Sequence, residues 1–531
     1  MNAIARILTS LVCAAPVLIS MAACADTPRP AALAEVGADW PQWGGNPSRN
    51  MYHPGAKGVP ATFEPGKPFP GKEDIDPATT KGLRWVAKLG SQSFGTPTVS
   101  GGRIFVGTNN EAPRDPKFKG DKNCLYCLDE KTGKLLWQLA TPKLESGKVN
   151  DWEFVGMTCS PTVEGNYVYV VTPRCEVLCL TVKGLAGGNE GFQDEAKYLG
   201  GVGANASPIP TGPTDADIVW RFDMMEELGV FHHNAANSSP LIIGDTIYVV
   251  TSNGQDWSHV NVPAPKAPSL IALDKKTGKF IAEDDLQQGP RILHGLWSSL
   301  SYGSFDGKNQ LVYGGGDGWC YGIEPVPTKI GDVDTLKKIW WYDCNPADRK
   351  SRNGKAIKYP AYDGVSELIA SPVLYKGKVY AQVGQDPEHG EGLGLLHCID
   401  PTKTGDITTS GKVWSYDAIR RSISTMSIVD DLIYVADFSG TVHCVDALTG
   451  KAYWTHDLKE KVWSSTYALD GKVFIGDEKG NFTCLALGKT KQVLGVTALP
   501  ASVIASPIYA NRTLFVTTNT HLYAVAAEGS K

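Results

Sequence analysis

The residues of this chain best suited to chemistry fall into two kinds of place along a repeating pattern. Just before certain β-rich runs stand Glu153, the pair His232 and His233, His294 with Trp297, Arg420 with Arg421, and Trp463. In short turns between later runs stand Asn253, Asp256, Trp257 and His259 of "SNGQDWSH", and Asp317 and Trp319 of "GGDGW". The turn "GQDPEHGEG" adds Asp386, Glu388, His389 and Glu391. Carboxylates and imidazoles exchange protons and hydrogen-bond, and indoles present flat apolar faces. Brought to one place, such a set forms a ligand site; spread out, it is only a solvated rim.

The repeats decide which. A lead-in of "SP" or "SS" type, a strand, a Gly or Asp turn, a second strand, another turn and a third strand recur. The third strand often ends in "D-x-x-TGK-x-x-W". Copies begin at "FGTPTVS", "CSPTVEG", "SSPLIIG", "SSLSYGS", "ASPVLYK", "ISTMSIV", "SSTYALD" and "ASPIYAN", which makes eight. Spacings near 40 residues in the last copies match one four-stranded blade. The final copy, ending "HLYAVAAEGSK", lacks a fourth strand, while "GLRWVAKL" before the first copy is a strand without a copy. The expected fold is all-β: an eight-bladed β-propeller of four-stranded antiparallel blades over residues 83–531, closed by the strand around Trp85. In antiparallel blades alternate turns share a face, so the lead-ins and the turns between strands two and three lie on one rim. Five of the ten histidines fall there.

Within a copy, Gly133, Gly278 and Gly450 suit turns with positive φ, and Trp137, Trp220, Trp414 and Trp454 stand where a ring can pack between blades. Ala282 and Leu494 occupy the expected Trp position in two copies, which predicts looser junctions there. Cys127, Cys179, Cys320, Cys398, Cys444 and Cys484 share one third-strand position with Ala272 and Ala524, the mark of a small buried slot rather than of disulfides. Cys124, Cys159, Cys175 and Cys344 lie outside that register, and a Cys159–Cys175 bridge is an open alternative. His397, His443 and His521 recur on the third strand and read as structural.

With 42% hydrophobic and 20% charged residues the 531-residue chain has material for a large core. A net charge of −5 with no basic stripe argues against nucleic acid as a partner. Residues 1–25 read as a secretory signal, with Arg6 ahead of an apolar run too short to span a membrane. "ACA" before Asp26 suits signal peptidase, and "MAAC" is similar to a lipobox that would make Cys24 a lipid anchor. Both cleavages imply export to the periplasm or the outer-membrane side of the envelope. Residues 26–82 form an N-terminal arm.

These repeats resemble the pyrroloquinoline quinone (PQQ) propeller superfamily from about Trp40 onward, and "DWPQWGGNPSRN" resembles its N-terminal arm. The superfamily holds quinoprotein alcohol dehydrogenases as well as non-catalytic members, among them the propeller lipoprotein of the outer-membrane β-barrel assembly machine. A group of long bacterial envelope proteins shares "SNG…W…APS[LF]IALDKKTGK", "GGDGW" and "VGQDPEHGEG". In the dehydrogenases Ca²⁺, held by Glu, Asn and Asp, polarises the quinone and a carboxylate takes the alcohol proton. The resemblance places Glu176 and Asn253 as candidate ligands and Trp257 beside them, but Ser298 stands at the Asp position. The adjacent-Cys pair that would wall one quinone face is absent from "SQSFGTP", and "HHNAANSSP" lacks the Trp for the other. PQQ and Ca²⁺ are therefore disfavoured.

Two functions follow. One is an exported binding or scaffold module that offers its decorated face to a protein, a glycan or a small ligand. The other is an oxidoreductase, using PQQ or another cofactor in the same funnel. The long insertions favour a broad binding surface.

Overall fold

The structure is a computed structural model and describes residues 39–201 and 206–529. The expected signal segment and Cys24 lie outside the described residues. Eight antiparallel sheets form an eight-bladed β-propeller. The blades span residues 98–142, 162–223, 241–284, 301–343, 373–416, 427–457, 467–498 and 508–526, the last completed by Leu83–Lys88. Three sheets carry additions: a hairpin of residues 328–336 on the third blade, Gly405–Asp406 on the fourth, and Tyr52–His53 on the seventh.

The "D-x-x-TGK" signature makes the junctions. Asp129 Oδ1 accepts from both Thr132 N and Thr132 Oγ1, and Asp274 and Asp446 hold Thr277 and Thr449 in the same way. These side-chain bonds fix the turn, and the following glycine takes positive φ. Against that glycine lies an indole from the preceding blade. Trp137 donates to Val182 O at 3.0 Å, Trp220 to Lys275 O at 3.2 Å and Trp414 to Ala447 O at 3.0 Å.

The same contact closes the ring. Trp85 pairs with Ala524 across the eighth blade and donates to Glu130 O of the first at 2.9 Å. A Cβ on Gly133 would stand 2.5 Å from its ring. Near the axis a second set of bonds joins lead-ins: Ser371 N to Thr425 Oγ1, Thr425 N to Ser465 Oγ, Ser465 N to Ser506 Oγ, and Ser506 N to Thr96 Oγ1 at 3.0 Å. The last of these also links the eighth blade to the first.

One junction departs from the expected register. The residue opposite Cys484 is Gly495, not Leu494, because the turn before that strand is longer than in the other copies. A Cβ at Gly495 would lie 2.3 Å from Thr62 Cγ2, so the arm fills the missing Trp volume, and Phe63 packs between Phe482 and Tyr523 of the seventh and eighth blades. At the third blade Ala282 faces Ala272 as read from the sequence. Cys159 and Cys175 are separate buried thiols whose Sγ atoms donate to Ser238 O and Thr251 O, so the bridge between them does not form. The six register cysteines are buried and unbridged.

The arm does more than precede the propeller. From Trp40 to His53 it crosses the inner strands: Trp40 pairs with Val99, Val163 N donates to Pro41 O, Tyr302 N to Pro47 O, Leu374 N to Ser48 O, and Ala468 N to Met51 O. Those partners belong to the first, second, fourth, fifth and seventh blades. Arg49 is fully buried at the centre of this crossing, donating to Leu300 O and Trp43 O at 2.6 Å each. Burial lowers its pKa to about 9.

Candidate functional site

The lead-ins build the axial channel by simple register. Each places one side chain on the axis: Phe94, Thr158, Asn237, Trp297, Ile369, Ile423, Trp463 and Ile504 form a ring with one member from each blade. Two residues later a ring of hydroxyls follows, Thr96 to Ser506, and beyond it Trp43 of the arm reaches the channel and donates to Ser371 Oγ at 3.0 Å. The channel is thus a funnel with the arm across its narrow end. On the open side it widens to a cavity of about 530 Å³, walled by Trp152, Glu153, Phe154, Asp386 and Glu388 above this ring, six of whose eight members are apolar.

Glu153 and Glu388 are exposed at this mouth, and Asp386 is nearly buried, its carboxyl raised to about 6 by burial. Trp463 packs edge-on to Phe94 and Phe438. Arg421 is buried beside the funnel, where Nε donates to Ser366 Oγ at 2.9 Å and Nη2 to Ala361 O, and burial lowers its pKa to about 10. It braces the segment ahead of the fifth blade and does not line the cavity.

Four of the five rim histidines come together behind Trp297. His233 and His294 approach with their Nε2 atoms 2.8 Å apart. The His259 ring lies 5.1 Å from His233 and 4.7 Å from His294, and the His389 ring 4.9 Å from His294. Trp297 stands edge-on to His294 at 5.0 Å, between the cluster and the axis. Burial first, then the neighbouring imidazoles, pushes His233 and His389 down to about 4 and His294 lower still. The fifth, His232, turns away: its Nε2 meets Pro173 O at 2.8 Å inside the second blade, and it is not part of the cluster.

Two members of this neighbourhood carried no signal in the repeats. Tyr359 and Glu367 come from the insertion ahead of the fifth blade. Tyr359 Oη contacts His389 Nδ1 at 3.1 Å and Glu367 Oε1 at 3.3 Å, and Glu367 is fully buried with its pKa raised well above the usual carboxylate range by burial and by Asp386.

The positions that the quinoprotein resemblance assigns to a cofactor are otherwise engaged. Glu176 accepts from Arg221 at 2.7 Å, from Arg174 at 3.2 Å and from Tyr198 Oη at 2.6 Å. Asn253 donates Nδ2 to Ala264 O at 2.9 Å and accepts Phe231 N on Oδ1 at 3.1 Å, which spends its amide on tying the loop that carries His259 to the lead-in of the third blade. Ser298 donates to Ala370 O at 3.1 Å. Trp257 is 54% exposed on the outer side of that loop. The donor set therefore does not fit a Ca²⁺-bound quinone: the hard oxygens it needs are held in ion pairs and backbone bonds.

Comparison with known proteins places this geometry. No curated protein matches the chain. Among solved structures, a europium-containing methanol dehydrogenase is similar at 14% identity with a TM-score of 0.55, covering 92% of this chain and 98% of its own, a likeness of fold alone. BamB from Moraxella catarrhalis shares 11% identity over 85% of this chain and 98% of its own, with a TM-score of 0.49. Residues 76–183, 118–298 and 394–531 match the family described as outer membrane protein assembly factor BamB. With most of its repeats inside that match and its eight blades in place, the chain belongs to this family of PQQ-like β-propellers.

Proposed function

We propose that this chain is an exported binding module of the bacterial cell envelope, taking a small ligand or an inserted segment of a protein in its funnel. The blind funnel carries this reading. A volume of about 530 Å³ lies within the ~300–1,000 Å³ typical of ligand pockets. Its floor of Trp297, Trp463, Phe94 and isoleucines offers flat and apolar contacts, and Glu153 and Glu388 at the mouth would select for hydrogen-bond donors or positive charge. Export rests on the secretory character of residues 1–25 and on the envelope role in the family's description, with Cys24 the residue that would carry a lipid. Among the described residues no helix is long and apolar enough to cross a membrane.

The test is a fragment library screened by ligand-observed NMR against the wild type and Ile423→Arg, whose longer side chain fills the throat. Fragments that bind the wild type and are lost in the variant support the funnel as the site. Fragments indifferent to the change would place binding elsewhere.

A further inference from the structure

We propose that His233, His259 and His294 form a binding site for a divalent transition metal, for which Zn²⁺ is the best-fitting ion. One nitrogen from each lies within 4.8 Å of those of the other two. The three come from separate segments: the lead-in of the third blade, the turn between its second and third strands, and the lead-in of the fourth. Such convergence is built by the propeller face and not by local sequence.

Three observations point to a cation rather than to a packed aromatic cluster. First, the His233 ring is oriented for ligation. Its Nδ1 lies 2.6 Å from Gln255 O, which can only accept, so the proton sits on Nδ1 and the Nε2 lone pair accepts from His294 Nε2, a bond that a shared metal ion would replace. Second, the cluster leaves polar atoms without partners: His294 Nδ1 and His259 Nε2 are both buried and make no hydrogen bond. A polar atom buried without a partner is costly, and a metal bound to the cluster would remove part of that cost. Third, the ring neighbours of the three are other imidazoles and aromatic rings, and among the described residues none of them is paired with a carboxylate, so the donors the cluster offers are imidazole nitrogens. That is the donor type preferred by Zn²⁺, Cu²⁺ and Ni²⁺ and not by Ca²⁺ or Mg²⁺.

Three imidazoles leave a tetrahedral ion one position short. His389 stands beside the cluster, tied through Tyr359 to the buried Glu367. The fourth place would be filled by water or by an atom of a ligand, as in zinc sites that keep an open position. Binding the ion would also fix the Trp297 wall of the funnel, because that indole packs on both His233 and His294. The proposal does not depend on what the funnel binds.

The test uses the purified full chain, stripped with a chelator and titrated calorimetrically with Zn²⁺ alone. Co²⁺ then serves as a spectroscopic stand-in for coordination geometry. We expect one Zn²⁺ per chain, the intense visible absorption of tetrahedral Co²⁺, and affinity lowered by at least about 100-fold in His259→Ala. His259 lies on a surface turn, so this variant is expected to fold, and circular dichroism checks that it does. His456→Ala, remote from the site on the sixth blade, should bind as the wild type does. Absent uptake by the wild type, or equal affinity in His259→Ala, would overturn the site. So would octahedral Co²⁺ spectra that are the same in the wild type and the His259 variant.

Discussion

At the scale of single residues, the face that carries chemistry was readable because side-chain direction in a propeller follows from turn parity. His233, His259, His294 and His389 could be assigned to one rim before any distance was known. Which of them meet could not, since that depends on χ angles and on how far each loop folds over the funnel. His232 shows the limit: one position from His233, it points into the second blade. Tyr359 and Glu367 were invisible for a different reason. They sit in an insertion with no repeat to give a register. Glu176 illustrates how a site residue can be a structural one. Its carboxylate is buried between Arg174 and Arg221, so Glu176→Gln should cost about 3 kcal/mol by leaving the buried Arg174 short of a counter-charge, Arg221 keeping Asp223 at 3.1 Å. Urea unfolding measures this, and millimolar Ca²⁺ should leave the wild-type midpoint unchanged. A Ca²⁺-dependent rise present in the wild type and absent in the variant would make Glu176 a metal ligand instead.

At the scale of elements, the junction between blades rests on an indole lying over a turn glycine. Gly133 has φ +68° and its hypothetical Cβ would stand 2.5 Å from Trp85, whereas Gly120 has φ +71° and open space around it. Both Gly→Ala changes incur left-handed backbone strain of about 1–2 kcal/mol. Only Gly133→Ala must also displace the closing Trp, adding roughly 1–3 kcal/mol. Calorimetry should therefore show a clearly larger loss of Tm for Gly133→Ala than for Gly120→Ala, and equal losses would mean that the Trp85 contact contributes little. The closing strand itself was legible because a missing fourth strand and an orphan strand are complementary facts in one sequence. The seventh junction was not. A lengthened turn shifted its register to Gly495, and the filler, Thr62 and Phe63, comes from the arm.

At the scale of the whole molecule, the arm turns an open ring into a blind funnel, and its grip should respond to acid. His53 is buried between Trp40, stacked at 5.8 Å, and Tyr509, edge-on at 5.0 Å, with Nδ1 accepting Gly55 N. Burial lowers its pKa from 6.5 to about 4. The unfolded chain therefore binds the proton first. The contribution of His53 to stability is full above pH 6.5 and falls as pH drops toward 4, by at most roughly 3 kcal/mol. His53→Phe should make that part of the stability–pH curve shallower by the share of one group, since His232, His233, His294, His389 and His397 are also held low by burial, and a variant curve parallel to the wild type would remove His53 from the cause. The arm's path was beyond sequence reading because it is held by irregular backbone bonds to five or more blades rather than by any repeated strand.

The propeller has an axial funnel, while the positions that the quinoprotein resemblance assigns to a cofactor, Glu176, Asn253 and Ser298, are committed to structural bonds. The most direct measurement is a titration of the purified protein with PQQ and Ca²⁺, followed by absorbance and dye-linked alcohol oxidation. The structure predicts no saturable PQQ binding and no turnover. Tight, Ca²⁺-dependent binding with alcohol oxidation, abolished by Asn253→Ala, would contradict it.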